Sequence, residues 1–211
     1  MSYQQKVTKF QVIDNGPCAP YYNMQKDLEM FSEVETEPAM AYLRFYTWTE
    51  HCISYGCNQQ IKIVEDYKEK QGLPSNIVCV RRPTGGGIVY HKPGDFTFCL
   101  VFPLSFFPRQ KSLLEIYYKI SEILNMTLNQ TGIDSCLAKQ SLAEYKEKKI
   151  NDVCLDFPAK YEILLDNRKI LGSAQKKGKK ALLQQTNFFT EIIKKKEFSR
   201  LLANNLQDCF K

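Results

Sequence analysis

Three consecutive glycines stand inside a run that otherwise reads as strand: "RRPTGGGIVYH", residues 81 to 91. Glycine weakens a strand, because it packs no side chain and loses more backbone freedom on ordering than other residues. A chain that gives up side chains at Gly85, Gly86 and Gly87 is bringing something close to its own backbone. Two readings fit. The bare N–H groups of a glycine turn can form a concave nest for an anion, supplemented by the two adjacent arginines. Alternatively, the turn is a bend that another strand crosses closely. The stretch is neither a Walker loop, which needs G-K-[ST], nor the dinucleotide G-x-G-x-x-G. Two arginines, the Thr84 hydroxyl and His91 put more polar groups around it than a plain bend needs.

Elements alternate along the chain. Asn23 is a candidate helix cap, with Met24, Leu28 and Phe31 at helical spacing behind it. "AYLRFYTW" (41–48), "NIVCVRR" (76–82), "GIVYH" (87–91) and "FTFCLVF" (96–102) read as strands, punctuated by the glycines and by Pro93-Gly94. Leu113, Tyr117, Ile120, Leu124 and Leu128 mark a helix from Ser112 to about Asn129. After a polar connection (138–152), "YEILL" and "KILGSAQ" are joined at Asp166-Asn167 like a hairpin, "ALLQQT" adds a strand, and the lysine-rich 191–203 reads as a terminal helix. Repeats and linkers are absent. The expectation is one α/β domain over residues 1–211, a mixed, largely antiparallel sheet with flanking helices.

Composition bounds the function. The longest apolar stretches are too short to span a bilayer, and Met1 to Phe10 lacks a secretory apolar region, so a soluble cytoplasmic protein is expected. The 8 cysteines (18, 52, 57, 79, 99, 136, 154, 209) form no C-x-x-C, and with only 2 histidines a structural metal is not expected. They read as free thiols. A net charge of +6 favours an acidic or phosphate-bearing partner. The lysine clusters suggest nucleic acid only weakly, since no recognition motif accompanies them.

A second element narrows the chemistry. "NRKILGSAQKKGKKALLQQT" (167–186) places Lys169 beside apolar Ile170 and Leu171, followed by small Gly172, Ser173 and Ala174. A lysine in apolar company, with backbone clearance just beyond it, suits a negatively charged or carbonyl-bearing group. A solvated hairpin lysine remains the alternative.

Together, R-R-x-[ST]-G-G-G-x-V-[YF]-H and R-K-I-x-G-S-A-Q resemble the lipoate–protein ligase and octanoyl/lipoyl transferase family, over most of the chain. The resemblance implies the catalytic domain shared with biotin–protein ligases and related to class II tRNA synthetases. It implies that Gly85, Gly86 and Gly87 cradle a lipoyl or octanoyl group, with Arg82, Thr84, Val89 and His91 along the ligand. Lys169 would face the activated carbonyl or phosphate, and Gly172, Ser173 and Ala174 would let the backbone approach it. The implied acceptor is a lysine of a lipoyl carrier domain, from a 2-oxoacid dehydrogenase complex or the glycine cleavage H protein. Lys176, Lys177, Lys179 and Lys180 suit its acidic surface.

Two mechanisms compete within the family. An ATP-dependent ligase makes acyl-adenylate from lipoate or octanoate with magnesium; the triple glycine favours it and makes it the expected activity. An ATP-independent transferase takes the acyl group from an acyl carrier protein onto a cysteine just upstream of the lysine strand, where Cys154 falls. "HKPGD" is closer to that branch, "SYGCNQQ" departs from the family's usual first half, and no accessory C-terminal domain is expected.

Overall fold

The computed structural model describes residues 9–109, 112–138 and 160–209. Its frame is a five-stranded sheet in the order β1 (Lys9–Cys18), β2 (Met40–Trp48), β6 (Phe96–Pro103), β11 (Ala181–Phe188), β10 (Leu171–Lys177). β1 runs parallel to β2, and the other neighbours are antiparallel. β6 and β11 are buried along their whole length because both sheet faces are covered, which is why their sequences do not alternate apolar with polar.

The two faces sort by parity. Ala41, Leu43 and Phe45 of β2 point to a core built with α3 (Leu113–Gln130) and α4 (Lys195–Cys209). Tyr42, Tyr46 and Trp48 point to a second core under α1 (Pro20–Thr36). Arg44 has the same parity, so strand geometry drives a guanidinium into that core, where it is fully buried. α1 meets it with Asp27, 2.7 Å away and equally buried. Asn15 Oδ1, Asn23 Oδ1 and the Asn23 carbonyl accept the remaining Arg44 bonds. Asn23 is thus no helix cap. The helix starts three residues earlier at Pro20, whose missing N–H costs nothing in a first turn, and Asn23 spends its side chain on Arg44 and the Cys18 carbonyl.

Two smaller sheets complete the frame. β4 (Val78–Arg81) and β5 (Val89–His91) flank β3 (Cys52–Tyr55), parallel and antiparallel to it, and the triple glycine joins β4 to β5. β7 (Cys136–Leu137), β8 (Ile163–Leu165) and β9 (Arg168–Lys169) form the third. The hairpin expected at Asp166-Asn167 is present, and both residues have positive φ, as a tight two-residue hairpin turn requires. The short helix α2 (Ile61–Lys70) and the strand β1 are additions to the sequence reading, and α4 starts four residues later than expected. No helix among the described residues is long and apolar enough to cross a membrane.

Candidate active site

The glycine turn is held from beneath by Arg82. Its Nη1 donates to the Ser54 carbonyl and hydroxyl, both at 2.9 Å, and its Nη2 donates to the carbonyls of Gly85 (3.1 Å) and Gly87 (2.7 Å). The arginine therefore shapes the turn rather than projecting from it. Thr84, fully buried, donates to Gln185 Oε1 at 2.7 Å, and Gln185 Nε2 donates to Asp27 Oδ2 at 2.7 Å. The turn is bonded through one amide to the ion pair under α1.

The glycines do different things. A Cβ placed on Gly56, in the turn after β3, would collide with the Gly86 carbonyl oxygen, so two backbones cross there. Gly86 has φ +89°, a conformation that favours glycine. Gly85 is different: a Cβ there would meet no atom within 4 Å. Close crossing accounts for Gly56, positive φ for Gly86, and open space lies over Gly85.

His91 forms the back of the site. It stacks on Trp48, with ring centroids 3.8 Å apart, and its Nε2 lies 2.7 Å from Ser54 Oγ. Trp48 Nε1 donates to Thr97 Oγ1, which donates to Asn187 Oδ1. Because Ser54 Oγ already accepts from Arg82, its own proton points most simply at His91 Nε2, leaving the proton of the neutral ring on Nδ1. Nδ1 has no hydrogen bond of good geometry. Burial first, then the Arg82 charge, hold the imidazole well below its ordinary pKa, against a smaller opposing contribution from nearby Asn187.

Arg82, Val89, His91, Gly172, Ser173 and Ala174 line one narrow cleft with Trp48 and Met24, with a cavity volume of about 30 Å³. Gly85 and Gly86 line an adjoining open groove that shares Ser173 and Ala174. Thr84 lies behind the wall, and Gly87 contributes its carbonyl to Arg82. Lys169 is not among the residues lining either space. It is buried against Glu162, Nζ to Oε1 2.7 Å, with the Phe189 ring beneath it, three residues before Gly172. Cys154 lies outside the described residues. Among the described cysteines, burial pushes the Cys52 and Cys99 thiols well up, which disfavours thiolate at both. Among the described residues no cluster of His, Cys, Asp and Glu could hold a metal ion.

Gly56, Trp48, Ser54, Gln185 and Glu162 complete this arrangement and are absent from the sequence reading. Glu162 had a signal: it stands two residues before Leu164, the partner of Lys169 across the hairpin, hence on the same face at a diagonal.

Two outcomes follow from this geometry. Gly56→Ala should lower stability by about 1–3 kcal/mol, the usual cost of overpacking, whereas Gly85→Ala should stay within about 0.5 kcal/mol of wild type; urea unfolding of both variants checks this. The neutral buried His91 should make the fold acid-sensitive. An unfolded imidazole binds a proton below pH about 6.5 and the folded one does not, so this contribution is complete above that pH and falls as pH falls. At pH 5.5 the loss is about 1.4 kcal/mol. Between pH 7.5 and 5.5 the melting temperature of wild type should therefore drop more than that of His91→Asn; equal slopes would refute it.

Residues 19–209 match the model of the lipoyl protein ligase A/B catalytic domain family. The chain is 31% identical over 202 residues to octanoyltransferase LipM of Lysinibacillus sphaericus, covering 92% of this chain and 70% of the relative. It is 33% identical over 190 residues to octanoyltransferase LipM of Staphylococcus aureus, covering 85% and 65%. The chain thus spans roughly two thirds of the length of these relatives. Among solved structures, a lipoate-protein ligase A bound with ATP superposes with a TM-score of 0.73 at 19% identity, over 96% of this chain and 85% of that one. The Plasmodium falciparum protein LipL1 in complex with lipoate gives 0.62 at 14%, over 95% and 62%. At these identities the structures establish the fold alone. With the family match running from the start of α1 to the end of α4, this chain belongs to the lipoyl protein ligase A/B catalytic domain family.

Proposed function

We propose that the protein is an ATP-independent octanoyl or lipoyl transferase, with Cys154 as the residue that carries the acyl group. The observation that carries this reading is the similarity to proteins named octanoyltransferase, at 31–33% identity over 82–92% of the chain. It reverses the preference for the ligase, which rests on the triple glycine. The φ of +89° at Gly86 accounts for one of those glycines through the shape of the turn, without a phosphate.

The chemistry has two steps. The Cys154 thiol gives up its proton and the thiolate attacks the thioester carbonyl of an acyl carrier protein; the new C–S bond forms as the donor's breaks, and the donor leaves as a thiolate that takes up the proton Cys154 released. The amine of a carrier-domain lysine then attacks the Cys154 thioester, forming the amide and passing its proton to the departing cysteine sulfur. Lys169 supplies a fixed cation for the oxyanion in both steps, its direction set by Glu162. The acyl chain occupies the apolar cleft between Trp48, Val89 and Ala174. A volume of about 30 Å³ holds roughly one water, so a lining side chain moves on entry, and unbranched Met24 is the adaptable one. The acceptor is a lipoyl carrier domain, as suits an enzyme whose fold resembles an archaeal lipoate protein ligase described with its E2 lipoyl domain.

The test compares an octanoyl-acyl carrier protein without ATP against octanoate or lipoate with ATP and magnesium, each with an apo carrier domain. Transfer without ATP, an acyl adduct mapped by mass spectrometry to Cys154, and at least a hundredfold loss in Cys154→Ser are expected. Product formed only with ATP, and at an undiminished rate in Cys154→Ser, would restore the ligase reading. An adduct on Cys57, which borders the glycine turn, would reassign the nucleophile.

A further inference from the structure

The groove beside the cleft has features that an acyl pocket does not need. It encloses about 450 Å³ between Gly85 and Gly86 on one side and the first turn of α3, Leu113, Leu114 and Tyr117, on the other, with Ser173, Ala174 and Gln175 as its floor. Leu113 and Leu114 are 39% and 51% exposed, although Ile116, Ile120, Ile123, Leu124 and Leu128 of the same helix are buried in the core. Two leucines thus stand in solvent at the mouth of the active site.

A basic rim continues from the floor. On β10, Ser173, Gln175 and Lys177 share one side of the strand by parity, so exposed Lys177 follows Gln175 by about 7 Å. Lys179 and Lys180 are exposed at the turn into β11. This turn is pinned: the Glu35 carboxylate of α1 accepts the backbone N–H of Lys180 (3.2 Å) and of Ala181 (3.0 Å). A Cβ at Gly178 would collide with Glu35 and with Phe31, so the turn lies flat on α1. The Glu35 carboxylate is occupied by backbone N–H groups, and the lysine charges sit on a fixed platform.

We propose that this groove and the β10–β11 turn form the docking surface for the carrier domain that delivers the acceptor lysine. The partner has an apolar side chain beside that lysine, which seats against Leu113 and Leu114, and an acidic rim that meets Lys177, Lys179 and Lys180. This rests on the reading that the acyl group ends on a protein-borne amine. A lysine side chain is short, so the surface that bears it must press on the cleft mouth. A standard interface of about 800 Å² per partner is a disc of roughly 16 Å radius. Centred on Ser173 and Ala174, it takes in the groove and reaches Lys177, about 10 Å along the strand. An apolar centre with a charged rim is the usual anatomy of such a contact.

The experiment titrates an apo lipoyl carrier domain into the full chain at low and moderate salt, with Leu114→Glu and the pair Lys177→Glu, Lys179→Glu beside wild type. Acyl uptake from octanoyl-acyl carrier protein, without the carrier domain, is measured in parallel. The expected result is a Kd raised at least tenfold in both variants, a flatter salt dependence in the lysine pair, and acyl uptake retained. An unchanged Kd in both overturns the surface while leaving the transferase reading intact. Loss of acyl uptake along with binding would assign the groove to the acyl site and also overturn it. If Leu114→Glu changes only self-association, the groove is an interface between copies and the proposal fails. A wild type that neither binds nor acylates any carrier domain overturns the function and the surface together.

Discussion

The buried pair of Asp27 and Arg44 sets the terms for everything around the site. Strand parity leaves Arg44 no route to water, so α1 must place a carboxylate against it. Removing one partner of such a pair typically costs about 3–5 kcal/mol, against about 5–15 kcal/mol for the stability of a typical native protein. Burial raises the pKa of Asp27, and Arg44 with the Gln185 bond pulls it back. An ionised carboxylate only accepts hydrogen bonds. Gln185 must therefore turn its amide N–H toward Asp27, which turns its carbonyl toward Thr84. The direction of one amide thus passes the ion pair's polarity to the glycine turn.

From the other side, Arg82 reaches the same turn. It draws in two turn carbonyls and Ser54, and Ser54 connects to His91 and, through the Trp48 stack, to Thr97 and Asn187. The turn is clamped between the ion-pair network under α1 and the Arg82–Ser54–His91 network behind β5. Rigid placement of this kind is what acyl transfer demands, since groups aimed at a developing oxyanion help only if they need not reorganise. Lys169 is fixed too, its ammonium held by Glu162 and an aromatic face rather than left to swing in solvent.

Much of this could be read from the chain, for physical reasons that also mark the limits. Central strands betray themselves because both faces are covered: "FTFCLVF" and "AYLRFYTW" are apolar almost throughout. β1 hides because "KFQVIDNGPC" is an edge strand, only partly buried, with a register shift between Asp14 and Pro17. Asn23 misleads because its capping chemistry is real but its partner, Arg44, lies 21 positions away. The triple glycine announced a close approach, yet not whose backbone approached, since Gly56 meets Gly86 only in the folded chain. Lys169 showed its apolar setting in sequence; its counter-charge needed the hairpin register.

The relay from ion pair to glycine turn is tested most directly by a double-mutant cycle on unfolding free energy, combining Asp27→Asn with Thr84→Val. Among the described residues Gln185 joins the two side chains, accepting from Thr84 through Oε1 and donating to Asp27 through Nε2. An asparagine at 27 keeps one acceptor oxygen, which the Arg44 guanidinium takes, and turns its NH2 toward Gln185, so the present Thr84 bond should lose its value in that background. The expected coupling is about 0.5–1 kcal/mol or more. Additivity within about 0.3 kcal/mol would mean that the turn is held without the ion pair.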